Sequence, residues 1–251
     1  MFDKMEKDID AVVVSTPDHT HFNPSMIAMS LGKHLYCEKP MAHDVWQVRK
    51  MTELAAKNNL ATQLGVQRHT ISNVHRVVEL IRAGVIGNVT EVHSWVGGSR
   101  GMPAIPKDKQ EVPSHLNWDV WLGPAPKRDY NKAYCPYNWR FWWDFGTGET
   151  GNWGCHTLDI PFWALELDYP TRVEGSGPKV HPQTTPKSMI TSFQYPAKGD
   201  RGDVTLHWYH TRGGPQILKD RNLSLKGANN VFVGTEGILV CGFGTHKLYP
   251  E

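Results

Sequence analysis

The first 66 residues alternate short β-branched runs with stretches of helical period, and that alternation restricts the chain to a few layered α/β arrangements. AVVVST, after Asp10, reads as a buried parallel strand ending in the polar loop PDHTH. A helix is expected from about Pro24 to Leu31, with Gly32 as its stop. HLYCEKP gives a second strand whose end carries Glu38, Lys39 and Pro40. From about His43 to Asn58, the residues Val45, Val48, Met51, Leu54 and Ala55 fall on one helical face, and ATQLGV follows as a third strand. This order implies right-handed crossovers and ligand groups clustered beyond the carboxyl ends of the strands. Ser15 to His21, Glu38 to Pro40 and Gln67 to His69 occupy those ends.

Beyond Gln67 the pattern changes. Residues 72 to 83 predict a helix with Val74, Val77, Val78 and Ile81 on its packed face, stopped at Ala83-Gly84. VTEVHSWVG alternates as an open-faced strand with Val89, Val92 and Trp95 available for packing. A long irregular stretch from Gly97 to about Thr150 is rich in Pro, Gly, Trp and Tyr, and loops of that length usually carry function or pack as part of a site. Residues 156 to 166 have a helical pattern apart from Pro161, which is tolerated near the first turn. RVEGSG, SMITSFQYP, DVTLHWYH, NVFVGTEG and ILVCGFG then read as strands separated by turns. The expected fold is α/β plus α+β: the C-terminal part of a Rossmann-like parallel sheet, followed by a mostly antiparallel sheet domain with helices on one face. The expected boundary gives a partial nucleotide-binding domain over 1–68 and a substrate-binding and oligomerisation domain over 69–251.

Composition narrows the function. The 27 Lys and Arg are interspersed with 25 Asp and Glu, so no basic tract points to nucleic acid. The four cysteines, at 37, 135, 155 and 241, form no CxxC pair, which leaves free thiols as the simpler reading. With no apolar run of transmembrane length and no apolar core in MFDKMEKDID, a soluble protein of cytoplasm or periplasm is expected, unless an upstream signal has been lost. Several of the 10 tryptophans lie between Trp118 and Trp163 beside Arg and Asp. Such a cluster serves equally as core or as a platform for sugar rings, whose C–H faces are apolar and whose edges are hydroxyls.

The segments VVVSTPDHTH, GKHLYCEKP, WDVWLGPAP, WRFWWDFGTG and GNWGCHTLD resemble the glucose-fructose oxidoreductase, inositol dehydrogenase and rhizopine-catabolism (Gfo/Idh/MocA) oxidoreductases, in their tryptophan-rich bacterial branch. The resemblance implies NAD(P)-dependent oxidation of a secondary hydroxyl on a sugar, glycoside or cyclitol. Two alternatives stand beside it: NAD-assisted glycoside cleavage, and a non-catalytic carbohydrate-binding or assembly protein. It also implies a homo-oligomer built on the open face of the late sheet, where both alternations of Val204 to Tyr209 are partly apolar. Family members place a strand, a GxGxxG turn and a helix, with two further strand-helix steps, before the segment matching AVVVSTP; here only MFDKMEKDID precedes it. The sequence also ends at HKLYPE, earlier than such relatives. The expectation is a chain shortened at both ends, or a divergent relative, that alone binds NAD or NADP weakly or not at all.

By the same resemblance, Lys39 lies near the nicotinamide and the reacting hydroxyl, where a cation stabilises alkoxide character as hydride leaves. Taken alone, its position reads more readily as that of an exposed loop lysine. His156 is the matching proton acceptor, suited by its near-neutral pKa. Asp159, three residues on, either orients that imidazole or caps backbone. Asn152 stands where the family commonly has an aspartate that binds a substrate hydroxyl. Ser15, Thr16, Pro17, His21, Glu38, Lys39, Pro40 and Gln67 match cofactor-contacting positions, although Ser15 and Thr16 also suit helix capping. Tyr137, Arg140, Trp142 and Trp153 are substrate-wall candidates, with Arg140–Asp144 an alternative i,i+4 pair if that stretch is helical. His207 and Tyr209 share one face of a late strand and are candidates to reach the site. A metal centre of His19, His21, His156 and Asp159 is a weak reading, because 13 histidines produce coincidental pairs, and no metal is expected.

Overall fold

The computed structural model describes residues 1–98, 100–211 and 214–250. The chain folds as two compact units: 1–66 with 102–152 and 181–185, and 67–101 with 153–180 and 186–251. A single cut after residue 68 therefore does not separate the units, because the irregular middle segment packs with the first sheet. No described helix is long and apolar enough to cross a membrane.

In the first unit, a short helix α1 (Phe2–Met5) leads to the parallel sheet β1 (Ala11–Val14), β2 (His34–Glu38) and β3 (Thr62–Gly65), in the order β1-β2-β3. Helix α2 (Phe22–Ser30) links the first two strands and α3 (Val45–Lys57) the second two. Gly32, at φ 73°, ends α2 as expected, since a side chain there would be strained. Met51 is the buried residue of α3, with Val48, Leu54 and Ala55 packed beside it. Val45 is 70% exposed and does not belong to that face, because it is the helix's first residue, before the packed turns begin. The strand β1 is also less buried than its apolar run suggests. Among the described residues it pairs only with β2, which leaves Val13 69% exposed.

The 102–152 segment is ordered by aromatic packing rather than by regular structure. Around the short helix α5 (Trp118–Leu122), the residues Leu122, Tyr134, Trp139, Trp142 and Phe145 form a buried cluster. Trp118 stacks on Trp121 at 4.9 Å and donates its indole N–H to the Arg128 carbonyl. Most of the tryptophan concentration is therefore core, the plainer of its two readings.

The second unit carries α4 (Ser72–Arg82), β4 (Val89–Val96), α6 (Cys155–Thr157), α7 (Asp159–Leu165), β5 (Arg172–Ser176), β6 (Met189–Tyr195), β7 (Val204–His210), α8 (Ile217–Asp220), β8 (Ala228–Gly234), β9 (Ile238–Gly242) and β10 (His246–Tyr249). Its seven strands run in the order β10-β9-β8-β4-β7-β6-β5, antiparallel except for the parallel β4–β7 pair. Val74, Val77, Val78 and Ile81 of α4 pack with Ile160 and Ala164 of α7 against Val92, Leu206 and Phe232. The opposite face holds Trp95, Val231 and Val240, with Ile217 and Leu218 of α8 against them. A buried polar chain closes the helical side, where Ser94 bonds Asn230 and Asn230 Nδ2 donates to the Thr157 carbonyl at 3.2 Å.

Candidate functional site

At the end of β2 the chain turns through a cis Lys39–Pro40 bond. Lys39 Nζ donates to the Asn152 carbonyl at 2.6 Å and to Asn152 Oδ1 at 3.4 Å. The nitrogen of that amide donates to Glu149 Oε2 at 3.2 Å, and Glu149 is buried. Asn152 is thus oriented from both sides, its oxygen toward a cation and its nitrogen toward a carboxylate. A carboxylate at position 152 would meet Glu149 within hydrogen-bond distance, so the neutral amide suits its surroundings.

His21 braces this turn. Its ring nitrogens lie 2.7 Å from both the Thr16 and the Pro40 carbonyls, which joins the loop after β1 to the loop after β2. Asp18, not among the residues expected from the sequence, is buried and accepts from Thr147 Oγ1 at 2.8 Å. Burial raises its pKa above the ordinary carboxylate value, against the Thr147 bond and the charges of His21, Lys39 and His43. A signal for it existed, since Asp18 sits in the strand-end loop PDHTH, where polar groups converge. Thr147 and Glu149 lie in a stretch whose glycines, GTGETGNWG, are its most visible feature.

Other candidates fall where the aromatic packing puts them. Trp142 is fully buried and donates its indole N–H to the Ala133 carbonyl at 3.1 Å, so it is a core residue and not a substrate wall. Tyr137 is 47% exposed, and the Arg140 guanidinium lies over the Tyr137 and Trp139 rings at 4.6 and 4.3 Å. Asp144 pairs with Arg128, not with Arg140, because residues 138–141 form a 3-10 turn without α-helical i,i+4 geometry. The ring nitrogens of His19 face the Phe145 and Trp121 carbonyls at 3.2 and 3.1 Å. With His21 also held between carbonyls, these two rings do not offer paired metal ligands.

In the second unit, His156 is buried, with its ring edge-on to Trp153 at 6.0 Å. Asp159 does not take up that imidazole; it accepts from His69 Nδ1 at 2.8 Å, and His69 stacks on Trp163 at 4.1 Å. Trp153 carries the Arg68 guanidinium over its ring at 5.0 Å, with Phe243 on the same cation at 4.4 Å. His207 and Tyr209 alternate with Leu206 and Trp208, which places them on the sheet face opposite α4 and α7. They stand there with His93 and Glu91, away from the helical side to which Thr157 is bonded.

The cofactor candidates divide in two. Ser15 and Thr16 are exposed at the end of β1 and cap neither following turn: Pro17 precedes the 3-10 turn, and His21 precedes α2. Glu38 hydrogen-bonds Tyr36 and crosses Gly65 so closely that an added Cβ would lie 2.9 Å from its carboxyl. Gln67 opens the 3-10 turn Gln67–Thr70. Ser15, Thr16 and Glu38 thus lie at the carboxyl ends of β1 and β2. A pyrophosphate needs a glycine turn that opens onto a helix N-terminus. The loop into α2 has no glycine, and the first turn of α3 is capped by Asp44, whose carboxylate accepts from the Gln47 N–H at 2.9 Å.

A three-stranded parallel sheet with polar loops at its carboxyl ends and a seven-stranded, mostly antiparallel sheet fix a fold class and not by themselves an activity. Residues 1–66 match the family model "Oxidoreductase family, NAD-binding Rossmann fold", and residues 73–200 match "Oxidoreductase family, C-terminal alpha/beta domain". The chain belongs to this oxidoreductase family, the Gfo/Idh/MocA family. It is 36% identical over 91 residues to an uncharacterized oxidoreductase of Streptococcus pneumoniae, covering 36% of this chain and 25% of that one. It is 32% identical over 87 residues to inositol 2-dehydrogenase 3 of Saccharopolyspora erythraea, covering 34% and 26%. Its fold is like that of an inositol dehydrogenase homologue from Azotobacter vinelandii solved with NADH and myo-inositol, at a TM-score of 0.59 and 18% identity over 92% of this chain. The match spans 50% of that solved chain and about a quarter of the two curated relatives.

Proposed function

We propose that the protein takes part in NAD(P)-dependent oxidation of a secondary hydroxyl on a sugar, glycoside or cyclitol. The observation that carries this reading is the Lys39 ammonium at the carboxyl end of β2, fixed by two bonds to Asn152. Oxidation of an alcohol sends a hydride from carbon to an acceptor and a proton from oxygen to a base. A nicotinamide held by Ser15, Thr16, Pro17, His21, Glu38, Pro40 and Gln67 would supply the hydride acceptor. Lys39 hydrogen-bonds the substrate oxygen and stabilises its developing negative charge, a contribution on the order of 10²- to 10³-fold in rate for one such donor. Its bonds to Asn152 hold the ammonium in place before substrate arrives, so little ordering is needed on binding. His156 accepts the hydroxyl proton, and Tyr137, Arg140 and Trp153 contact the ring of the substrate. On this reading the cofactor contacts come from within 1–68, and the substrate and assembly contacts from 69–251, which includes the 102–152 segment that folds with the first sheet.

The test is nicotinamide reduction on a panel of sugars, glycosides and inositols, with the protein as its gene encodes it. His156→Gln should lower turnover by about 10²- to 10⁴-fold, the usual range for a lost general base, and remove the fall in turnover on the acid side of the pH profile, where a base is protonated. Unchanged turnover and profile would discard that role.

The 251-residue chain itself binds NAD and NADP weakly or not at all on this reading, because the described strand-helix turns offer no pyrophosphate cradle. Loss of such charge-assisted contacts costs several kcal/mol, roughly a thousandfold in affinity. Calorimetric titration of the chain should show no binding in the micromolar range; tight binding of either cofactor would contradict this.

A further inference from the structure

We propose that Glu91, His93 and His207 form a divalent transition-metal site on the sheet face opposite α4 and α7, with Zn²⁺ as the ion the donor set suits. Strand register builds the cluster. His93 on β4 and His207 on β7 are direct partners in the parallel pair, and their rings stack at 5.0 Å and 18°. Glu91, two residues before His93, projects from the same face. Its Oε1 lies 3.2 Å from His93 Nε2 and 3.0 Å from His207 Nε2, so one carboxylate oxygen faces two imidazole nitrogens. All three donor atoms lie within 4.8 Å of one another. Zinc bonds of about 2.0–2.1 Å imply donor-donor edges of roughly 3.4 Å; the two Glu91–histidine edges already lie near that value, and a small rotation of the imidazoles closes the remaining edge between them, which is no more than 4.8 Å.

Two features distinguish this cluster from a surface ion pair. The far nitrogens of both rings are held by hydroxyls: His93 Nδ1 is 2.9 Å from Tyr209 Oη, and His207 Nδ1 is 2.8 Å from Ser192 Oγ. A hydroxyl oxygen can accept from Nδ1–H, the tautomer that turns both Nε2 lone pairs toward the centre, and such outer bonds are the usual support of metal-ligating histidines. The second feature is His93 itself, 5% exposed, whose Nε2 approaches Glu91 without making a hydrogen bond and has no hydrogen-bond partner among the described residues. A buried ring nitrogen aimed at a carboxylate and a second imidazole is satisfied when a cation lies among the three. The Glu91 side chain, 39% exposed, leaves an entry path and a position for a fourth ligand. Two imidazoles and a carboxylate favour zinc over the oxygen-preferring Mg²⁺ or Ca²⁺.

The experiment is titration of the full chain with Zn²⁺ by calorimetry and with Co²⁺ by visible absorption. One equivalent of each should bind, with cobalt d–d bands of a four-coordinate nitrogen-oxygen site and no thiolate charge-transfer band. Glu91→Gln and His207→Gln should each weaken binding by about 10- to 100-fold, and Tyr209→Phe by about 10-fold. His115→Gln, which alters an exposed histidine outside the cluster, should leave it unchanged. No stoichiometric binding, a thiolate spectrum, or affinity unaltered in Glu91→Gln and His207→Gln would each overturn the proposal. If either variant fails to fold by circular dichroism, the cobalt spectrum of the unaltered chain decides.

Discussion

At Asn152 a single amide answers two opposite charges, and that arrangement makes a familiar-looking substitution unfavourable. An aspartate is common at the matching position of the family, yet here Glu149 lies 3.2 Å from the amide nitrogen. Asn152→Asp would lose a donor and bring two carboxylates together, which costs on the order of 1–3 kcal/mol in stability. Glu149→Gln in the same chain should restore most of the loss, because its amide donates to the new carboxylate. Thermal melts of the two single variants and the double variant measure this coupling, and additive losses would contradict it. Asn152 was legible in the sequence as a departure from the family; Glu149 was not, since only folding of the 147–152 stretch brings the two together. Asp159 shows the opposite error. Helical spacing placed it beside His156, whereas tertiary contact gave it His69.

Elements with a strong period were readable, and those defined by partners were not. The packed residues of α4 follow from its 3.6-residue repeat, and the alternation of β7 follows from its period of two. The parallel pairing of β4 with β7 leaves no local mark, because strand order depends on distant segments. The short α8 and β10 are too brief to carry a period. The far end of β7 also sets a pH response. His210 is 1% exposed and accepts the Arg100 backbone N–H at 3.3 Å, and burial, aided by the Arg100 charge, holds its pKa down at about 4. An unfolded histidine protonates near 6.5, so between about 6.5 and 4 the unfolded state binds more protons and acid favours it. Stability is fully present above that window and falls as pH drops through it. His210→Gln removes this titration while it keeps an acceptor, so the difference in melting temperature from the parent should narrow between pH 7 and pH 5. A constant difference would contradict the assignment.

For the molecule as a whole, Ile190 on β6 is 36% exposed beside its half-buried partner Tyr209 on β7, so the sheet face opposite α4 and α7 keeps apolar area, beyond the part that α8 covers, available to a second copy. We expect a homo-oligomer. Light scattering should give a mass at least twice 28.4 kDa, and a stable monomer across micromolar concentrations would contradict it. The central claim concerns Lys39. The most direct measurement is NADH or NADPH formation with an accepted sugar or cyclitol at saturating cofactor, comparing the protein as its gene encodes it with its Lys39→Ala variant. The account predicts a fall in turnover of about 10²- to 10³-fold with the melting temperature nearly unchanged; equal turnover in the two proteins would contradict it.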